Sequence, residues 1–250
     1  MADRTVLEVR DLRVSFELHA IERYVEALRG VSLTVAAGEH VALAGTSGAG
    51  KSSLLKSIYR TYLPDSGEVW LHRDDGTSVE LRGLPDRELL DVRAAEIGYV
   101  SQFLRPEPRR SALEVVSRAG VRRGLAADEA TDAAAQALRE VHLAEELWHT
   151  YPTLLSGGEK QRVNLAAGTI APPRLLLLDE PISSLDPANR EAVLDRIARL
   201  TEVGVAVLAV FHDGDAMRRL ADRVVLLDHG VVADTGPPEM VLAETAGVSP

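Results

Sequence analysis

The sequence predicts an α/β fold with a mainly parallel core sheet, an N-terminal antiparallel β region and an inserted helical unit. Three observations carry that expectation. The runs at 40–44 (apolar after His40), 175–178 and 205–210 are short and continuous, as strands buried on both faces are. Helical patterns follow or separate them, with residues 51–60 and 189–200 the clearest, and such alternation argues a parallel sheet. Between about 105 and 158 the pattern is mostly helical, and residues 128–141 are rich in alanine, the strongest helix former.

Taken in order, residues 6–10 and 13–16 alternate like two strands, and 31–35 reads as a third. Gly38-Glu39 marks a turn before the buried strand at 40–44. Pro64-Asp65-Ser66-Gly67 is turn chemistry, and 68–72 with 78–82 reads as an antiparallel pair. Residues 96–101 form a short apolar strand, and 224–228 and 231–234 close the sheet around His229-Gly230. The expected layout is one domain over 4–236 with the helical unit at about 105–158, and a tail at 237–250 that carries no assignable pattern.

The chain has 250 residues, enough for a sizeable core. A net charge of −10 disfavours nucleic acid as a partner, because phosphate binding on that scale needs a basic surface. There is no cysteine, which excludes disulfides, thiolate metal sites and cysteine-held iron–sulfur clusters. No secretory leader is visible and no apolar stretch is long enough to span a bilayer, so a cytoplasmic protein without direct membrane insertion is expected.

Two motifs carry chemistry. Gly45-Thr46-Ser47-Gly48-Ala49-Gly50-Lys51-Ser52 is a phosphate-binding loop set between a buried strand and a helix. Its glycines let backbone N–H groups turn toward phosphate oxygens, and the helix start adds a favourable dipole. Lys51 suits the β/γ-phosphates and the Ser52 hydroxyl suits Mg²⁺. Leu175-Leu176-Leu177-Leu178-Asp179-Glu180 ends a buried strand in two acids, suited to hold Mg²⁺ (Asp179) and to orient or deprotonate a water (Glu180). Ser156-Gly157-Gly158-Glu159 is also a capping box, and helix capping is its plain reading. Two glycines inside the box leave N–H groups open to an anion.

The order of phosphate loop, Gln102, Leu155-Ser156-Gly157-Gly158-Glu159-Lys160-Gln161-Arg162, the acid-tipped strand, Ser183-Ser184-Leu185-Asp186 and His212 resembles that of the ABC-type ATPases, a class of P-loop NTPases. The resemblance implies ATP and Mg²⁺ as cofactors and Glu180 and His212 as catalytic residues. It implies ATP binding by Phe16 (with Tyr24 a rival for the adenine), Gly45, Thr46, Ser47, Gly48, Ala49, Gly50, Lys51, Ser52, Ser53 and Gln102. From a second subunit it implies Ser156, Gly157, Gly158 and Asp186. Metal contacts fall to Ser52, Gln102 and Asp179. The partner implied is a second copy or a sister ABC subunit, with ATP between them.

A narrower resemblance runs from about residue 6 to 228. Residues 57–64, 100–105 and 108–116, Leu147-Trp148-His149 and Arg162-Val163-Asn164 resemble ATP-binding subunits of the phosphonate carbon–phosphorus lyase system. That implies an ATPase docked on the lyase core subunits, supporting attachment of a phosphonate to the ribose of ATP with release of adenine. The alternative is the nucleotide-binding subunit of a membrane ABC transporter, with residues 102–114 receiving a helix of the membrane protein. Ile182 and Ala167 depart from the residues usual in the family, threonine and arginine.

Overall fold

The computed structural model describes residues 5–18, 23–101 and 109–246. Two sheets organise them. Strands β1 (Thr5–Leu18), β2 (Arg23–Ala36), β4 (Ser66–His72) and β5 (Ser78–Glu80) form an antiparallel sheet in the order β2-β1-β4-β5. Strands β3 (His40–Ala44), β6 (Ile97–Val100), β7 (Leu175–Asp179), β8 (Ala206–Val210), β9 (Arg223–Asp228) and β10 (Val231–Gly236) form the second, in the order β10-β9-β3-β8-β7-β6. All neighbours in that sheet are parallel except the β9–β10 hairpin.

The continuous apolar runs are explained by what covers each face. Ala42, Ala44, Leu176, Leu178, Val207 and Ala209 join a core shared with helices α3 (Ala112–Arg122), α4 (Ala127–Glu140), α5 (Gly157–Thr169), α6 (Pro187–Glu202), α7 (Gly214–Leu220) and α8 (Pro238–Ala246). Their neighbours Val41, Leu43, Leu175, Leu177, Ala206 and Leu208 join a second core with the antiparallel sheet, α1 (Lys51–Ile58) and α2 (Asp86–Glu96). Period-two alternation is present, but both faces are dry, so hydropathy cannot display it.

Three elements differ from their sequence reading. The two strands expected at 6–10 and 13–16 are one strand, β1. Pairing slips between Val9 and Leu12, and Asp11 takes a φ of 44°, so the break in alternation is a bulge. Gly67 packs there because any Cβ would lie 2.4 Å from the Asp11 carbonyl oxygen. Helix α2 has no strong pattern, since only Leu89 and Val92 of its residues are buried. Helix α8 lies beyond Gly236, where the sequence offered no element; Val241 and Leu242 bury themselves in the first core. Each such aliphatic side chain, fully buried, stabilises by roughly 1.5–3 kcal/mol.

The helical segment resolves into α3, capped by the reciprocal Ser111–Glu114 box, then α4, then two 3-10 turns at Glu145–Leu147 and Pro152–Leu154, then α5. The Trp148 indole is buried but satisfied, donating to the Leu143 carbonyl at 3.0 Å. No described helix is long and apolar enough to cross a membrane.

His40 opens β3 with only 1% of its surface exposed and packs on Phe211 at 5.8 Å between ring centroids. Neither ring nitrogen has a hydrogen-bond partner, and burial pulls its pKa down to about 3. The unfolded chain therefore takes up this proton first, near pH 6.5. The stability contribution is whole above that pH and drains as pH falls toward 3, at about 1.4 kcal/mol per pH unit. His40→Leu should reduce the stability difference between pH 7 and pH 5 by about 2 kcal/mol, as measured by urea denaturation at the two values.

Candidate nucleotide site

Strand β3 runs into the loop 45–50 and on into α1. Gly45 has a φ of 135° and would place a Cβ 2.2 Å from the Leu227 carbonyl oxygen; Gly50 has a φ of 106° and a Cβ would meet the Ala27 oxygen at 2.5 Å. No side chain fits at either position. The β9–β10 turn holds the loop from outside: Gly230 N–H donates to the Ala49 carbonyl, and Arg29 N–H to the Gly230 carbonyl. Helix α1 has Gly50 at its N-cap, with no side-chain cap and no acidic residue in its first turn. By contrast α3, α5, α6 and α7 each carry a side-chain cap. The first-turn N–H groups of α1 and its dipole are thus offered to an outside anion.

Lys51 is 6% exposed and curls back on the loop, donating to the carbonyls of Gly45 (2.7 Å) and Thr46 (2.8 Å). Burial draws its pKa down, while Glu180 and Asp179 draw it up. Asp179, buried at the tip of β7, accepts from the Ser52 hydroxyl at 2.9 Å and has the Tyr99 hydroxyl 3.5 Å from its other oxygen. Burial raises its pKa, with the Ser52 hydrogen bond and the Lys56 charge opposing. Glu180 takes a φ of 54°, a region that costs a non-glycine residue roughly 1–3 kcal/mol. The His212 Nε2 lies 2.7 Å from Glu180 Oε1, and the Glu180 N–H is anchored on the Val210 carbonyl.

Lys51, Ser52, Glu180 and His212 share one cleft of about 720 Å³, lined also by Ser47, Gly48, Gly50 and Ser53, while Gly45, Thr46, Ala49 and Asp179 are not among its lining residues. Both aromatic candidates are there. Phe16 packs edge-on to Tyr62 at 4.9 Å, and Tyr24, 64% exposed, donates its hydroxyl to Ser15 Oγ. Arg29 and His229 also line the cleft and were not singled out from the sequence. Arg29 donates to the His229 carbonyl at 2.7 Å, and only the hairpin fold brings that pair to the phosphate loop. Gln102 lies outside the described residues.

Ser156, Gly157, Gly158 and Asp186 are elsewhere; none lines this cleft. The capping box at α5 is complete, with Ser156 Oγ accepting from Glu159 N–H and Glu159 accepting from Ser156 N–H. Gly158 is explained within the chain, since a Cβ would lie 2.9 Å from the Ser184 carbonyl oxygen. Gly157 is not: a Cβ there would meet nothing within 4 Å among the described residues. Asp186 caps α6 by accepting from Asn189 N–H, and that bond holds its carboxyl below the usual range. Of the two departures, Ile182 is a core residue and Ala167 lines a separate cavity.

The ABC transporter family profile matches residues 28–183. The chain belongs to that family. It carries an ABC cassette. This cassette is 34% identical over 239 residues to the methionine import ATP-binding protein MetN of Brucella abortus (strain 2308), covering 95% of the chain but 61% of that protein. It thus spans about three-fifths of the length of such relatives. It is 37% identical to the lipoprotein-releasing system ATP-binding protein LolD of Paramagnetospirillum magneticum, covering 84% of the chain and 90% of that protein. Among solved structures it is similar to the dimeric post-hydrolysis ATP-binding cassette MJ0796 bound to ADP and Pi, with a TM-score of 0.84 and 29% identity over 93% of this chain and 98% of that one. These relatives favour the transporter alternative over the carbon–phosphorus lyase reading.

Proposed function

We propose that this cassette is the nucleotide-binding subunit of a membrane ABC transporter and works as a dimer that closes on two ATP molecules. The observation that carries the dimer is Gly157. It is exposed at the start of α5, nothing among the described residues requires glycine there, and the cleft with the phosphate loop lacks it. A second copy, or a sister cassette, supplies Ser156, Gly157, Gly158 and Asp186 to the ATP of the first. This deepens what dimeric relatives suggest.

In each site Lys51 leaves the Gly45 and Thr46 carbonyls for the β/γ-phosphates, and the α1 N-terminus and glycine loop hold the remaining oxygens. Phe16 or Tyr24 takes the adenine. Ser52 and Asp179, oxygen donors already in contact, fit a hard cation such as Mg²⁺ once phosphate oxygens complete its shell. Among the described residues no group of three or more His, Asp or Glu could hold a metal unaided. Bound there, Mg²⁺ would neutralise developing phosphate charge. Glu180 orients or deprotonates the attacking water, and His212, on its carboxylate, faces the γ-phosphate. Hydrolysis removes the bridge between subunits, and the opening is the work delivered to the membrane partner. Lys51→Ala should weaken ATP binding by about 2–4 kcal/mol, measured by equilibrium titration with labelled ATP.

The lyase reading rests on segments with structural work of their own. Asn164 ties α5 to the Ser101 carbonyl at 2.7 Å, Arg162 donates to Asn189, and Trp148 fills the core. Such residues suit either machinery. Affinity capture of the tagged chain from gently solubilised membranes discriminates. A polytopic membrane protein in stoichiometric yield is the expected result; soluble lyase-core subunits in its place would overturn the transporter assignment and leave the ATPase intact.

A further inference from the structure

Strand β2 is the edge of its sheet, paired there with β1, and Tyr24, Val25, Glu26, Ala27 and Arg29 on it line the nucleotide cleft. Among the described residues two acids line that cleft: Glu180, beside His212, and Glu26. Glu180 has its place in the chemistry; Glu26, exposed on β2, has none so far. Its position follows from the register. Phe16 pairs with Val25 and Glu17 with Tyr24, so both aromatic candidates stand at one level of β2. Ala27 touches the phosphate loop, since its carbonyl oxygen would lie 2.5 Å from a Cβ on Gly50. Arg29 follows, anchored on the His229 carbonyl. Along β2 the cleft wall therefore runs aromatic, acid, loop contact, cation. Successive strand residues advance about 3.3 Å, which sets Glu26 about 7 Å beyond Tyr24 and next to the loop contact. The Ser15 hydroxyl opposite Glu26 is already engaged, accepting from Tyr24 and donating to Asp65 at 2.6 Å.

A nucleotide with its base on Phe16 or Tyr24 and its phosphates on the loop 45–50 has its ribose between them, at the level of Glu26. A carboxylate only accepts hydrogen bonds, and beside phosphate it would repel. The sugar hydroxyls are the donors a nucleotide offers at that level. The adenine amino group lies on the side of the base away from the sugar. We propose that Glu26 accepts from the ribose 2′- and 3′-hydroxyls, as acids do in dinucleotide-binding folds, and makes the cleft prefer ribonucleotides to deoxyribonucleotides. The assignment rests on the nucleotide reading of the cleft given above.

The test is calorimetric titration of the full chain with ATP, 2′-deoxyATP, 3′-deoxyATP and ITP, in the cold and without Mg²⁺ to suppress turnover. The wild-type protein should bind ATP about fivefold or more tighter than at least one deoxy analogue, as a hydrogen bond to a charged acceptor provides. Glu26→Ala should bring that ratio close to unity, and Glu26→Gln, which keeps one acceptor oxygen, should retain part of it. The ratio is the decisive readout, because removing a negative charge near the phosphates favours all these nucleotides alike. The side chain is exposed, so folding is not at risk. A wild-type ratio near unity, a ratio that survives Glu26→Ala, or a substitution that shifts ATP against ITP instead would overturn the ribose contact and leave the nucleotide reading standing. A wild-type chain that binds no ATP would overturn both.

Discussion

Glu180→Gln is expected to lower ATP turnover by about 100- to 10,000-fold while leaving ATP affinity within a factor of a few. The substitution is nearly isosteric. Glutamine tolerates the backbone φ of 54° about as well as glutamate, and its amide oxygen can keep the contact now made 2.7 Å from His212 Nε2. What it loses is the capacity to accept a proton from water. Phosphate loop, α1 N-terminus, Lys51 and Ser52 are untouched, so the ground-state complex should survive. The expected signature in steady-state kinetics is a fall in kcat with little change in KM. Turnover at the wild-type rate would remove Glu180 from the chemistry.

Gly157→Val is the second. Within the chain the new side chain projects into open space, and valine is a better helix residue than glycine by a few tenths of a kcal/mol. Stability should therefore change by less than about 0.5 kcal/mol. Hydrolysis should nonetheless fall by 100-fold or more, because the branched side chain stands where the partner's γ-phosphate must approach. Binding of ATP to the chain's own phosphate loop should persist. Gly158→Ala makes the contrast, since its Cβ would press on the Ser184 carbonyl at 2.9 Å and cost stability directly. Paired denaturation and phosphate-release assays separate the two. Retained hydrolysis in Gly157→Val would leave that glycine without a function.

Much of this was legible in the residues because local chemistry and tertiary role coincide. The loop 45–50 declares itself: Gly45 and Gly50 are glycines for steric reasons within the chain, and the loop follows a strand whose apolar run is unbroken. Asp179 and Glu180 are marked by the four leucines before them. Other parts were hidden by context. The bulge at Asp11 broke the alternation of β1 and looked like two strands. Helix α2 buries too few side chains to show a stripe, and α8 contributes chiefly Val241 and Leu242. Arg29 and His229 reach the cleft only because the β9–β10 turn docks on the loop, a contact spanning 200 positions in sequence. The narrower resemblance carries little weight for a related reason. Trp148, Arg162 and Asn164 hold the helical unit to the core, and such packing residues say little about what the cassette drives.

The claim on which the proposed function turns is that one chain completes the ATP site of another. Sedimentation of the Glu180→Gln protein with and without Mg-ATP tests it most directly, with Glu180→Gln/Gly157→Val run beside it. The expected result is a monomer without nucleotide, a dimer holding two ATP with it, and a double variant that binds one ATP per chain yet stays monomeric. A Glu180→Gln protein that remains monomeric at saturating ATP, or a double variant that dimerises equally well, would contradict the account.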